Sequence, residues 1–199
     1  MKHLKLFENF EVVRPLPNGD PLNDVEIKIL KSSNVFCPEF ILKEDNYYYI
    51  NDHRCENIRD VPLTYIHALC SKFKITNYTI NDDYSIDVNG NVFLNGRELS
   101  KLPLKFNKVS GSFNCSFNKL TTLEGSPKEV GRDFKCSFNK LTTLEGGPKK
   151  VGGDFYCYNN QLTTLEGGPK EVGRDFICRY NPLTSTEYRG IIKGKLIYR

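Results

Sequence analysis

Hydrophobic positions in the second half of this chain recur on a fixed step of 21 residues. From Val109 it reads VSGSFNCSFNKLTTLEGSPKE, VGRDFKCSFNKLTTLEGGPKK, VGGDFYCYNNQLTTLEGGPKE and VGRDFICRYNPLTS. Four ladders stand out: Phe113, Phe134, Phe155, Phe176; Cys115, Cys136, Cys157, Cys178; Asn118, Asn139, Asn160, Asn181; and Leu120, Leu141, Leu162, Leu183. A weaker copy precedes them, with Val92, Leu94, Leu99 and Leu102 at the apolar positions and Arg97 in place of the asparagine. A fixed period of this length is the mark of stacked units, each burying its apolar face against its neighbours, with atypical units at the ends.

Within one unit, side chains two apart on an extended segment share a face, so Phe and Cys of F-x-C turn inward together. The asparagine stands where the chain leaves the strand, and its amide is expected to bond backbone groups of its own and the next coil. Leu-Thr-Thr-Leu supplies two more inward positions. Glu-Gly-(Gly/Ser)-Pro then breaks regular structure, because Gly accepts positive φ and Pro lacks a donor. Pro127, Pro148 and Pro169, with Val130, Val151 and Val172, close the coil; the segment is too short for a full helix, and extended or short 3₁₀ pieces are expected there. Stacked coils give a parallel sheet with strands ~4.8 Å apart.

The unit resembles the leucine-rich-repeat family, whose pattern L-x-x-L-x-L-x-x-N-x-L is matched by Phe134, Cys136, Asn139, Leu141 and their equivalents. Ser110, Gly131, Gly152 and Gly173 stand at the first motif leucine, each preceded by Val. VGGDFYCYNNQLTTLEGGPKEVG is closer still to the short cysteine-containing repeats of bacterial and bacteriophage proteins. The resemblance covers residues 80–199. It implies a mainly-β leucine-rich-repeat solenoid with a parallel sheet on its concave face, and a role in binding a protein, one of host regulation or defence by analogy. Fold alone does not fix function, because such repeats serve many.

The docking surface is therefore sought where the repeats disagree. Residues alternating with Phe and Cys face outward: Ser112, Asn114, Ser116; Asp133, Lys135, Ser137; Asp154, Tyr156, Tyr158; Asp175, Ile177, Arg179. The residue before each asparagine (Phe117, Phe138, Asn159, Tyr180) lies at the strand edge. Aromatic residues with an interspersed Arg dominate interface hot spots, so Lys135, Phe138, Tyr156, Tyr158, Ile177, Arg179 and Tyr180 are the expected binding residues. The competing reading has the aromatics only covering the sheet.

Residues 1–79 carry no repeat and are expected to form a small α+β cap over the open end of the solenoid. Val25–Ile29 alternates as a strand would, though Leu22, Val25 and Ile29 also fit one face of a helix. Phe40-Ile41-Leu42 and Tyr47-Tyr48-Tyr49-Ile50, separated by Lys43-Glu44-Asp45-Asn46, suggest a hairpin. From Asp60, an N-cap, Leu63, Ile66, Cys70 and Phe73 form an apolar helical stripe.

Candidate chemistry changes the picture little. The ladder cysteines occupy inward apolar positions, where Cys acts as a small hydrophobe. Their 21-residue spacing is not the paired C-x-x-C of structural zinc, and no histidine falls in the repeats. Neither metal nor cofactor is expected. His67 with Cys70, and His53 with Cys55, are the Cys–His pairs that could supply a nucleophile and base. Cys70 falls on the apolar stripe, and neither pair has a Gly-rich oxyanion loop beside it, so no catalytic residue is assigned. An enzyme targeted by its repeats, or a nucleic-acid-contacting protein, are the alternatives. The net charge of +4, with +5 carried by residues 81–199, is modest for a polyanion binder. Lys119, Lys140 and Lys149-Lys150 read as a solvated rim. Seven cysteines, an odd number, fit a reducing compartment. No apolar run is long enough for a membrane span and the first residues lack a signal-peptide pattern. A cytoplasmic protein binding another protein, or a second copy of itself, is the expectation.

Overall fold

The computed structural model describes residues 42–44, 47–50, 53–55 and 60–199, with side chains from residue 62 onward. The chain falls into two compact units, residues 1–68 and 69–199. In the first, β1 (Leu42–Glu44) pairs antiparallel with β2 (Tyr47–Ile50), which pairs antiparallel with β3 (His53–Cys55). The hairpin expected from sequence forms with a tighter turn, because Lys43 and Glu44 belong to the strand rather than the loop. Val25–Ile29, read as a strand or a helix face, lies outside the described residues.

Helix α1 (Asp60–Lys72) starts at the expected aspartate. Ile66 and Cys70 are buried as the stripe requires, but Leu63 is exposed, and Tyr65 and Leu69 take the buried positions instead. The helix ends in a Schellman motif: Lys74 adopts φ 55°, its N–H donates to Ser71 O, and the Ile75 N–H donates to Cys70 O.

The second unit is a β-solenoid of about five turns with two sheets. Strands β6 (Val92–Phe93), β8 (Phe113–Asn114), β10 (Phe134–Lys135), β12 (Phe155–Tyr156), β14 (Phe176–Ile177) and β16 (Leu196–Ile197) form a six-stranded parallel sheet. The valine segments form another: β5 (Ile86–Val88), β7 (Phe106–Val109), β9 (Glu129–Val130), β11 (Lys150–Val151), β13 (Glu171–Val172) and β15 (Ile191–Ile192) run parallel, and β4 (Tyr78–Ile80) joins β5 antiparallel at the edge. The segments that close each coil are thus extended and paired. Register advances 21 residues per coil except beside a bulge, where Ile86 pairs with Phe106, and at the last step, where Val172 pairs with Ile192 and Phe176 with Leu196, each after 20.

Between the sheets lies one continuous core. The four ladder phenylalanines and four ladder cysteines are fully buried. Phe113, Phe134 and Phe155 stack with ring centroids 5.5 and 5.4 Å apart, close to the rise of one coil. Phe106 closes the ring column edge-on at one end and Tyr188 at the other. Each such phenylalanine is worth about 1.5–3 kcal/mol of burial. Glycine is required at 131, 152 and 173, the bend between the two sheets, where a Cβ would overlap the carbonyl oxygen of the preceding coil. That close approach explains why a leucine cannot stand there.

The asparagine ladder staples coil to coil, backwards rather than forwards. Asn160 Oδ1 accepts the Leu141 N–H, while its amide nitrogen donates to Cys136 O of the preceding coil and to Cys157 O of its own. Asn118, Asn139 and Asn181 repeat the arrangement. On the seven-stranded sheet, the outward column runs Asp87, Lys108, Glu129, Lys150, Glu171 in register. Opposite charges therefore face across every step, with Lys108–Glu129 at 3.4 Å and Lys150–Glu171 at 3.3 Å. Like charges at this spacing repel, which accounts for Lys150 where the flanking repeats have Glu. Lys150 is exposed, as a solvated rim requires, and pairs there with Glu171.

Candidate functional site

The outward face of the six-stranded sheet is built on two side-chain columns with different work. The first is Asn91, Ser112, Asp133, Asp154 and Asp175. Each of these side chains accepts the backbone N–H one coil on: Ser112 N on Asn91 Oδ1, Asp133 N on Ser112 Oγ, Asp154 N on Asp133 Oδ1, Asp175 N on Asp154 Oδ1, and Lys195 N on Asp175 Oδ1. These aspartates face outward as expected, yet they tie coils together where the ladder would otherwise leave amides unpaired.

The second column is Phe93, Asn114, Lys135, Tyr156 and Ile177, in register. Phe93 is 56% exposed and belongs with the aromatics. It is found by counting one period back from Asn114. Lys135 places its ammonium 5.2 Å from the Tyr156 ring centroid and 3.5 Å from Asp133. Tyr156 donates its hydroxyl to Asp154 Oδ2 at 3.0 Å. Burial, that hydrogen bond and the charges of Asp154 and Asp133 push its pKa up to about 12, against a smaller pull from Arg174. Ile177 is only 8% exposed, so it is a floor and not a ridge. Ser116 and Ser137, expected to face out, are buried.

At the edge of this sheet, Phe117, Phe138, Asn159 and Tyr180 all adopt left-handed backbone, with φ between 53° and 57°, and Gly96 does the same one coil earlier at 64°. Phe117, Phe138 and Tyr180 are 58%, 38% and 72% exposed. Phe117 stacks on Phe138 at 4.4 Å, and Tyr158 meets Phe138 edge-on at 5.3 Å. Tyr156 and Tyr158 form a corner, with rings 6.4 Å apart at 76°. Of the seven binding residues expected from sequence, five (Tyr156, Tyr158, Ile177, Arg179, Tyr180) line one recess of about 480 Å³ together with Asp154 and Asp175. Lys135 adjoins it through the Tyr156 ring, and Phe138 through Tyr158.

The comparisons with known proteins add no identity. The chain matches no family model, no curated protein and no solved structure.

Elsewhere the chemistry is quiet. Burial raises the Cys115 thiol to about 12 and the Cys178 and Cys70 thiols to about 11, and holds Cys136 and Cys157 well above the ordinary value. A thiol held neutral in this way is a poor nucleophile. His53 and Cys55 fall on β3. Among the described residues, no three His, Cys, Asp or Glu side chains are grouped to hold a metal ion, and no helix is long and apolar enough to cross a membrane.

Proposed function

We propose that this chain is a non-catalytic binding module that captures a partner protein on the outward face of its six-stranded sheet. One observation carries the reading. The edge position of each coil requires positive φ, and Gly96 and Asn159 fill it with the residue types that adopt this backbone readily. Phe117, Phe138 and Tyr180 fill it instead with large rings that remain exposed. A strained backbone held beneath a solvent-facing aromatic points to use rather than to packing. Exposed aromatics beside Arg179 and Lys135 supply the anchors that dominate protein interfaces.

A nucleic-acid partner is less well served. Phosphates call for concentrated positive charge, whereas residues 81–199 carry a net charge of only +5. On the resemblance of its repeat, the reading extends to a leucine-rich-repeat protein of bacterial or phage type, acting in the cytoplasm on a protein of host regulation or defence. The test is affinity capture with the intact chain and with Tyr156→Ala and Arg179→Ala, each variant's melting curve recorded alongside. Captured protein should fall sharply for both variants at nearly unchanged melting temperature. Equal capture by all three chains, or capture lost only where the fold is lost, rejects the reading.

A further inference from the structure

The recess beside Tyr156 holds more chemical information than its aromatic walls. Asp154 is fully engaged, with Oδ1 on the Asp175 N–H and Oδ2 on the Tyr156 hydroxyl. Asp175 spends Oδ1 on the Lys195 N–H at 2.8 Å, which fixes the carboxylate, and its Oδ2 accepts no hydrogen bond from the described residues. Neither Arg179, which lines the recess, nor the Lys195 ammonium forms an ion pair with it, although ion pairs bind carboxylates elsewhere on this solenoid.

Two coils before Asp175 the protein itself sets a cation against a carboxylate and a ring. There the Lys135 ammonium lies between a ladder aspartate, Asp133, and a tyrosine ring, Tyr156. Tyr156 and Ile177 are the next two residues of the Lys135 column, and neither is charged. The recess therefore has the aspartate and three tyrosines, and the cation in its lining, Arg179, forms no ion pair with that aspartate. A cation set against aromatic faces and a carboxylate is attracted by both the ring quadrupole and the charge. An apolar floor at Ile177 suits the methylene stem of a long basic side chain, which packs its carbons while its head stays polar.

Building on the binding reading above, we propose that this recess receives a lysine or arginine side chain of the partner protein, with the cation seated between Asp175 and the rings of Tyr156, Tyr158 and Tyr180. The partner is thus one that presents a basic residue at the centre of its contact surface.

The experiment is an NMR titration of the full chain with four single-residue probes: the N-acetyl methylamides of lysine, arginine, norleucine and glutamate. Lysine and arginine should shift the ring resonances of Tyr156 and Tyr158, while norleucine, with the same stem and no charge, and glutamate should not. Asp175→Asn keeps the acceptor for Lys195 N and removes the charge; it should weaken the lysine probe about tenfold, as loss of a charge-assisted bond does. Tyr158→Ser, which installs the residue found at 116 and 137, should abolish the shifts. Norleucine acting as strongly as lysine, indifference to Asp175→Asn, or no shift with any probe overturns the proposal. Partner capture that depends on Tyr156 and Arg179 would still stand in those cases, so the two readings fail separately.

Discussion

Replacing Tyr180 by glycine, and separately by alanine, isolates the strain that underlies the functional reading. Tyr180 has φ 54° and a ring 72% exposed, with no ring partner among the described residues. Left-handed backbone costs an L-residue about 1–2 kcal/mol, and alanine bears this cost as tyrosine does. Glycine escapes it but loses about 0.5–1 kcal/mol through the greater freedom of its unfolded chain. Glycine should therefore exceed alanine at 180 by roughly 0.5–1 kcal/mol, the reverse of their usual order inside helices and strands. Both lose the small buried part of the ring, under a third of a side chain that buries about 150–250 Å² in full, or about 1–2 kcal/mol. The glycine variant should then lie within about 1 kcal/mol of the parent, a shift of about 2–4 °C in melting temperature for a chain of this size. Urea unfolding of the three chains, compared at equal slope, measures the order. Alanine more stable than glycine would show that the position is not strained, and the argument from strain to function would fall with it.

Three other outcomes follow from the same geometry. Asn160→Ala removes an amide that joins Leu141, Cys136 and Cys157 in buried surroundings and strands their backbone groups; about 3–5 kcal/mol should be lost in urea unfolding, and less for the part-exposed Asn181→Ala. Tyr188 closes the end of the core against the Phe176 ring and donates its hydroxyl to Pro169 O, so Tyr188→Ala should cost about 2 kcal/mol, and Tyr188→Phe less than half of that. The buried thiols bind their protons more tightly when folded than when unfolded, so their contribution is complete below an unfolded pKa of about 8.5 and is lost as pH rises towards their folded values. Stability should fall by up to about 1.4 kcal/mol per ladder thiol per pH unit above 9, and replacing Cys136 and Cys157 by valine should flatten the decline.

Much of the solenoid was legible because its ladders are invariant: a residue repeated in every coil must meet its own copy. The inward Phe and Cys columns, and the asparagine that leaves the strand, follow from period and alternation alone. What was not legible depends on neighbours in the stack. Ile177 alternates outward as Tyr156 does, yet it is buried, and so are the small side chains of Ser116 and Ser137. The direction of the asparagine bonds is set by how the coil steps, which no single repeat encodes. The aspartates were legible only as outward-facing, and the register reveals that each accepts the next coil's amide. The positive φ of the edge column left a trace that could have been read: Gly96 and Asn159 stand in it, the two residue types most at ease there. The shortened last step was hidden because Ile192 and Leu196 match the repeat in type but not in count.

The claim that the six-stranded sheet faces the partner is tested most directly by site-specific photo-crosslinking. A photoreactive phenylalanine is placed at 138 or 180 on the aromatic edge, and at 108 on the opposite, seven-stranded sheet. The account predicts an adduct with one and the same protein from 138 and from 180, and none from 108. An adduct from 108 with none from 138 or 180 would contradict it.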